Sequence, residues 1–319
     1  MKAAFPTLLI LIHCFRLMGQ NSPATAFAHA IDLIERGQSA SAIEILRPLA
    51  DIESRTPAER ARIQTTLGFA YKQGGQFALA RQCYERALTD IGNTAASDPD
   101  RATILDYFAS LETDTGDLSS AEGLFLQALE IDKRLADHER LTTLYTHLAG
   151  LEIQKRRFKE ARRHLDLAVH EQEQAGASNP GSLADLYVTK GWLAGVNNHH
   201  DEAVDDYSQA LAAARKSYGE DHPLVGWSYL LLGKAQGESG DLSQGLAAMG
   251  KGLSILKNTV GTNDARYLVG EMAYSKLLDR AGRHEEAQRL SAEAEHSLPE
   301  ALKSYCRDCS TSVWSLRSH

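Results

Sequence analysis

The sequence has little proline and few aromatic residues. Only 8 of its 319 residues are proline, and phenylalanine, tryptophan and tyrosine together make up 7%. Alanine and leucine recur throughout, a composition that favours helices over the strands of a sandwich or a barrel. The hydrophobic content of 43% is enough to build a packed core, which excludes a disordered chain. We therefore expect an all-α fold.

The sequence also lacks a basic segment. It carries 34 lysine and arginine residues against 42 aspartate and glutamate residues, for a formal net charge of -8. A nucleic-acid-binding surface needs lysine and arginine to neutralise phosphates, so nucleic acid is not expected as a partner. A small acidic excess is ordinary for a soluble protein and indicates no particular ligand.

The apolar run near the N-terminus is too short to span a membrane, which takes roughly 20 residues. It covers residues 3–14 and is followed by Arg16 and by small residues at 24–26. This order is typical of a secretory signal peptide, which we predict over residues 1–26, with Gly19 as a second possible cleavage point. The mature chain is then exported, to the periplasm or as a secreted protein, without a stable membrane span. The alternative is a cytoplasmic chain in which the run caps the first repeat, or an uncleaved anchor.

Cysteine is scarce, with 4 in the chain. Cys14 lacks the small preceding residues of a lipidated cysteine, and removal of the leader leaves an odd number, which argues against a disulfide framework. Cys306 and Cys309 form a C-x-x-C, the pattern of a redox pair, a structural disulfide or half of a zinc site. Without a second C-x-x-C or a strand-to-helix setting, two idle thiols are the favoured interpretation.

Motifs for catalysis and for nucleotide or metal binding are missing. G-x-x-x-x-G-K-S/T, G-x-S-x-G and H-E-x-x-H do not occur. Two histidines and two carboxylates follow one another at residues 199–202, but consecutive side chains point apart and rarely share one ion. We interpret this segment as a solvated turn in which Asp201 caps the next helix. No catalytic residue, metal or cofactor is predicted, and the chain is not expected to be an enzyme.

One pattern recurs seven times along the chain and is marked by small residues. One small residue, the aligned position of each unit, recurs at intervals of 38 to 42 residues, at Ala42, Ala80, Ala121, Ala161, Ala203, Gly245 and Ala287. A second stands twelve residues before each of them, at Ala30, Gly68, Ala109, Ala149, Gly191, Gly233 and Ser275. Small side chains let two helices approach closely. Each unit is therefore predicted to be a helical hairpin.

Each unit also has a turn and a larger residue. Five residues before the aligned position stand glycines in five units, Asn198 in one and Arg156 in one. Glycine and asparagine accept the left-handed conformation that ends a helix, whereas Arg156 is expected to need a turn that stays right-handed. Four residues after the aligned position comes a larger residue, at Leu46, Tyr84, Phe125, Leu165, Tyr207 and Met249, with Ser291 as the weak last member. It is expected to fill the space between neighbouring hairpins.

A single hairpin leaves an apolar face in water, so the hairpins must stack into one continuous core. Five prolines are predicted to lie between hairpins, where a missing N–H costs least: Pro57, Pro99, Pro180, Pro223 and Pro299. Pro48 falls inside a predicted second helix, which we expect to stop or kink there. The stacked array is expected to be an elongated, curved body.

In these features the sequence resembles the tetratricopeptide repeat family. The second unit carries nearly the whole family pattern, in Leu67, Gly68, Tyr71, Gly75, Ala80, Tyr84 and Ala87. The longer units, and the segment at 218–223, are similar to the kinesin-light-chain type of repeat. The resemblance implies a right-handed superhelical solenoid of about seven hairpins. The array is predicted over residues 27–300, followed by a capping helix and tail at 301–319, with units near 23–52, 57–92, 100–135, 140–175, 181–217, 223–258 and 264–298.

The resemblance also implies that the first helix of each hairpin lines a concave groove. Four positions on each first helix share one stripe at helical spacing, six and three residues before the small residue and one and four after it. The residues proposed to contact a partner are Phe69, Lys72, Asp106, Trp192, Trp227, Leu230, Lys234, Met272 and Lys276. Ser110, Thr113, Thr146, Ile153, Asp185, Val188 and Asp279 share the stripe.

The tryptophans and lysines of the C-terminal half suit an apolar peptide bearing a carboxylate. Alternatively, Trp192 and Trp227 pack against the neighbouring first helices as core. A carboxylate clamp of the family's chaperone-adaptor type is not expected, because Thr65 and Phe69 occupy its positions. The predicted function is a non-catalytic scaffold or adaptor that binds a peptide segment or a partner protein. The alternative is a regulatory sensor module, intracellular or membrane-associated, that binds a peptide or a small ligand.

Overall fold

The computed structural model describes residues 23–52, 55–92, 98–176 and 179–305. Within these ranges the chain forms fourteen α-helices and no strand, which confirms the all-α prediction. Most of the predicted signal peptide, together with Cys306 and Cys309, lies outside the described residues. Among the described helices, none combines the length and the hydropathy that a membrane crossing requires.

Consecutive helices pair into seven hairpins, numbered 1 to 7 in chain order. Hairpins 1 to 4 are α1 Pro23–Glu35 with α2 Ser39–Ala50, α3 Pro57–Gln73 with α4 Phe77–Ile91, α5 Asp98–Thr115 with α6 Leu118–Leu135, and α7 His138–Gln154 with α8 Phe158–Ala175. Hairpins 5 to 7 are α9 Pro180–Val196 with α10 His200–Tyr218, α11 Pro223–Ser239 with α12 Leu242–Thr259, and α13 Ala265–Arg280 with α14 His284–Tyr305. Stacked hairpins of this kind form a superhelical solenoid.

Local sequence signals set the starts of several first helices. Pro57 and Pro223 occupy the first helical position, where the missing N–H has no intrahelical acceptor to lose. Thr56 and Glu59 form a capping box at α3: the Glu59 N–H donates to Thr56 Oγ1, and the Thr56 N–H donates to Glu59 Oε2 at 2.9 Å. These contacts satisfy N–H groups that helix starts leave unpaired.

The turns inside the hairpins all use left-handed backbone, and the prediction for Arg156 was wrong. Its φ is 57°, close to the 61° of Asn198 and the 72° of Gly37. The Arg156 N–H donates to the Ile153 carbonyl at 2.9 Å and the next N–H donates to Glu152, the same pair of bonds that closes the turn at Gly37. The same pair of bonds closes the turn in six of the seven hairpins, so the backbone conformation prevails over the preference of arginine.

The recurring small residues are buried where the two helices of a hairpin meet. A Cβ added at Gly68 would lie 2.8 Å from Tyr84 Cε1, and one at Gly233 would lie 2.5 Å from Met249 Cγ. The larger residue therefore packs against the small residue of its own hairpin. The Tyr84 ring also lies 5.8 Å from the ring of Phe108 in the next hairpin, so it contacts both.

Two prolines behave differently from the sequence predictions. Helix α2 continues through Pro48 and ends two residues later, at Ala50. Pro299 was expected between hairpins but lies inside α14, which runs unbroken to Tyr305. Residues 301–305 of the expected capping helix and tail thus continue α14, and the rest of that segment lies outside the described residues.

The array curves back on itself rather than extending as an open arc. The turn of hairpin 1 lies against the start of hairpin 6: a Cβ added at Gly37 would be 2.8 Å from Pro223 Cγ and 3.8 Å from His222 Nε2. The expectation of an elongated curved body was therefore wrong for hairpins 1 to 6. The small rotation between successive hairpins accumulates until the first meets the sixth.

Candidate inner binding surface

The predicted stripe contains one position that does not face the groove. The side chain three residues before the small residue is buried in hairpins 2, 3, 4 and 6, at Thr65, Asp106, Thr146 and Leu230. Leu230 is 0% exposed, and its Cδ1 would lie 2.7 Å from a Cβ added at Gly270 on the next first helix. Adjacent first helices nest closely at this position. Leu230 is therefore a core residue, and its prediction as a groove contact was wrong.

Lys72 and its neighbours form a charge pair on the inner face. Lys72 Nζ donates to Ser110 Oγ at 2.6 Å and lies 3.0 Å from Asp114 Oδ2, joining α3 to α5. Both charged side chains are less than one-fifth exposed. The Lys72 ammonium thus has strong partners within the chain, and a ligand carboxylate would have to compete with them.

Asp106 joins hairpin 3 to hairpin 4 through His147. The two side chains are 2.7 Å apart, between His147 Nδ1 and Asp106 Oδ1. Burial lowers the pKa of His147, but the charge and hydrogen bond of Asp106 outweigh burial and raise it above its usual value. Asp185 also raises this pKa and Lys72 lowers it, so these two side chains of the inner surface lie near the buried pair.

Asp185 is the one member of this group whose carboxylate has no hydrogen-bond or ion-pair partner among the described residues. Its residue surface is open to solvent, in contrast to the buried Asp106. Surrounding groups nevertheless displace water and raise the pKa of Asp185, and the charge of Asp106 adds to this, while His147 and Lys72 oppose it.

Aromatic rings border this charged region. Phe69 and Tyr107 lie 5.1 Å apart between ring centroids, on α3 and α5. Trp192 lies on α9 seven residues after Asp185, on the same face, and its ring reaches to 4.0 Å from a Cβ added at Gly150 on α7. Trp192 is half-buried and packs partly on core residues, as the alternative interpretation of the sequence expected.

The C-terminal half of the predicted groove contains Trp227, Met272, Lys234 and Lys276. Trp227 and Met272 are half-buried and pack against the core of hairpins 5 to 7. Lys234 Nζ lies 3.6 Å from Glu238 on its own helix. Lys276 is exposed on α13.

The segment at 199–202 is a turn whose polar side chains diverge. His199 lies 3.3 Å from Glu202, while His200 lies 3.6 Å from Glu238 on α11. The N-cap of α10 is His199, without a side-chain cap, and Asp201 lies in the first turn. The prediction that Asp201 caps this helix was therefore wrong, because the N-cap lies two residues earlier. No three metal-ligand side chains come together in the part of the chain that the structure describes.

Comparisons with known proteins fit this architecture. Residues 61–89 and 197–258 match models of the tetratricopeptide repeat. The apo form of RapI superimposes with a TM-score of 0.61 at 16% identity, over 88% of this chain and 98% of that one. A Rap protein complexed with competence and sporulation factor gives 0.55 at 12%, over 88% and 99%. A tetratricopeptide repeat protein from Parabacteroides merdae gives 0.50 at 18%, over 89% and 98%. No curated protein matches the sequence significantly.

The stacked hairpins, with small residues at each helix crossing, define an all-helical repeat solenoid of the kind that serves as a protein-interaction scaffold. At these identities the structural likeness shows the fold alone. The two family matches show that the chain contains tetratricopeptide repeats, and the structural likeness shows a fold of the same kind. The kinesin-light-chain type of unit stays a prediction.

Proposed function

We propose that this protein is a non-catalytic scaffold that binds a peptide segment of a partner protein along its inner surface. The observation that carries the proposal is the unpartnered Asp185 carboxylate, on the same helix face as the half-exposed Trp192. Aromatic side chains supply large contact areas at interfaces. The paired charges around Asp185 are held by neighbouring hairpins, so the surface is ordered before a ligand arrives.

The charges favour a basic peptide over the carboxylate-bearing peptide that the sequence suggested. The ammonium of Lys72 already contacts Asp114, and that of Lys234 lies beside Glu238. Asp185 has no such partner. A lysine or arginine of the peptide would form a charge-assisted hydrogen bond with Asp185, and an adjacent apolar side chain would pack on Trp192.

A regulatory sensor would use the same surface. The Rap structure with a bound competence and sporulation factor shows that this fold accommodates a ligand in at least one other protein. For the present chain the sensor is a second candidate, and its distinguishing feature is location inside the cell. Export, which the composition of residues 1–26 supports, remains part of the leading proposal.

Site-specific photocrosslinking in the native cell tests the proposal. A benzoylphenylalanine replaces Trp192 on the inner surface or, as the control, Leu126, which is 53% exposed on the second helix α6. We expect a partner protein to be captured from position 192 and not from position 126. Mass spectrometry should place the crosslink in a segment that contains lysine or arginine. Equal capture from both positions would contradict binding at the inner surface.

A matched pair of variants tests the role of Asp185. Asp185→Asn removes the unpartnered carboxylate, and Glu130→Gln removes an exposed carboxylate from a second helix. Capture from position 192 should fall at least several-fold with Asp185→Asn and stay unchanged with Glu130→Gln. Undiminished capture with Asp185→Asn would refute recognition of a basic side chain. The intact mass of the purified chain reports export, since a retained Met1 would support the intracellular sensor.

A further inference from the structure

Hairpins 1 and 6 meet where the backbone of a turn packs against a proline ring. Gly37 lies at the turn between α1 and α2 with a φ of 72°. A Cβ added there would lie 2.8 Å from Pro223 Cγ and 2.9 Å from Pro223 Cδ, distances that real Cβ atoms do not tolerate. The turn therefore rests on the proline ring, and only glycine leaves room for it.

His222 is built into the same contact, which we name the seam and define by Glu35, Gly37, His222 and Pro223. The imidazole is 5% exposed, and its Nδ1 accepts a hydrogen bond from the Leu224 N–H at 3.2 Å, capping α11. Because Nδ1 accepts, the proton of the neutral ring is on Nε2.

Nε2 of His222 is buried and faces the end of α1. It makes no hydrogen bond of good geometry, but the Glu35 backbone carbonyl is close enough to raise the pKa of His222 against the larger, opposite effect of burial. Carbonyls in the last turn of a helix have no intrahelical donor and carry partial negative charge. The His222 Nε2–H is thus a hydrogen-bond donor beside an acceptor, the Glu35 carbonyl at the end of α1.

Hairpin 5 supports the hairpin 6 side of the seam. The Tyr218 ring stacks on His222 with centroids 4.6 Å apart. Its hydroxyl would lie 2.9 Å from a Cβ added at Gly181, so Tyr218 is tightly enclosed. Burial raises the pKa of the Tyr218 hydroxyl, and the nearby negative charges of Asp185 and Glu35 raise it further. Tyr218 therefore lies between the seam and the inner surface.

We propose that hairpin 1 closes on hairpin 6 in solution, so that a ligand can pass between these two hairpins to the inner surface only when the seam opens. Closure itself stands on the seam contacts alone. Only the effect on ligand exchange rests on the proposed function. The inner surface of hairpins 2 to 5 then has no open edge on the side where hairpins 1 and 6 meet.

Distance measurements between spin labels test closure without any ligand. Labels are placed at Glu44→Cys on hairpin 1 and Ala247→Cys on hairpin 6, both exposed positions. Cys14, Cys306 and Cys309 are changed to serine, while buried Cys83, whose pKa is raised to about 11 by burial, is left in place. The closed seam predicts one narrow distance distribution. A broad one, or a narrow one found only in dimers, would overturn closure within the chain.

Two glycine variants distinguish the loss of the seam contact from the strain of a side chain on left-handed backbone. Gly37→Ala and Gly282→Ala both place a Cβ on left-handed backbone, with φ of 72° and 78°. Only the Cβ at Gly37 meets another hairpin, since nothing lies within 4 Å of one at Gly282. Gly37→Ala should broaden and lengthen the label distance, while Gly282→Ala should leave it unchanged. An unaltered distance in Gly37→Ala would refute the seam.

His222→Asn separates the cap from the seam. Asparagine caps helices well, so α11 keeps its N-cap, but its side chain is too short to reach Glu35. The expected result is an opened seam with unchanged helical circular dichroism. A distribution as narrow as that of the parent chain would show that His222 does not hold hairpin 1.

Discussion

His147 on hairpin 4 and Asp106 on hairpin 3 form a hydrogen-bonded pair, with 2.7 Å between Nδ1 and Oδ1. The pKa of His147 lies above its usual 6.5, because Asp106 outweighs the effect of burial. A histidine with a raised folded-state pKa stabilises the fold fully below pH 6.5 and loses that contribution as pH rises through the raised value. The pair therefore makes stability depend on pH near neutrality.

Replacing His147 with glutamine should remove this pH dependence. The free energy of unfolding in urea should differ most between the parent chain and His147→Gln at pH 5.5, and the difference should shrink by pH 8.5. His29→Gln, which changes an exposed histidine on α1, should leave the profile unaltered. A gap that grows with pH would show that the pairing is wrong.

Ala121→Leu should destabilise the fold by overpacking. Ala121 is 0% exposed on α6, and extra methylenes in a packed site cost about 1–3 kcal/mol. Gly123→Ala, two residues away, is the control: nothing lies within 4 Å of its added Cβ, so it should stabilise by about 0.5–1 kcal/mol. Urea denaturation measures both changes. Unchanged stability in Ala121→Leu would contradict the register of the repeat.

Arg156→Gly should stabilise the fourth hairpin. Arginine at φ 57° carries the steric cost of left-handed backbone, about 1 kcal/mol, and its exposed side chain makes no hydrogen bond or ion pair with the residues that the structure describes. The reverse change, Gly116→Arg at φ 85°, should cost a similar amount. Shifts of opposite sign in the urea midpoint are expected. A destabilised Arg156→Gly would mean that the turn is not left-handed.

Arg81→Met should expose the cost of a buried charge. The Glu112 side chain is fully buried, and its Oε2 accepts a hydrogen bond from Arg81 at 2.7 Å. Without Arg81 the carboxylate has no cation, which should cost about 2 kcal/mol at neutral pH, a value reduced because Arg81 is partly exposed.

Glu112 also sets how that cost varies with pH. Burial raises its pKa and Arg81 partly offsets this, so the carboxyl is more easily protonated once Arg81 is gone. The penalty of Arg81→Met should therefore be smaller at pH 5 than at pH 8. In the double variant with Glu112→Gln the penalty should largely disappear. Additive effects in a double-mutant cycle would argue that the two residues do not interact.

The hairpins could be predicted because their determinants are local. Small residues such as Gly68 and Ala121 repeat in register, and each one is buried at a helix crossing as expected. Glycines and Asn198 marked the left-handed turns. Arg156 escaped this rule because the bonds that close the turn involve backbone atoms, whose geometry does not depend on the residue type.

The inner surface was only partly predictable, since it depends on how neighbouring helices nest. Helical spacing placed Leu230 and Asp185 on one stripe, yet the first is core and the second is open. His147 was missed because it stands two residues before Ala149, at a position outside the assumed stripe. The seam between Gly37 and Pro223 joins hairpins distant in sequence, and no local pattern reports such a contact.

The seam also restricts how this protein can evolve. Repeat arrays commonly gain or lose whole units by duplication and deletion, since each unit contacts only its neighbours. Here one added or deleted hairpin between the first and the sixth would rotate Gly37 away from His222 and Pro223. The number of units from hairpin 1 to hairpin 6 is therefore set by the angle between successive hairpins, and an added unit would preserve the seam only outside this range.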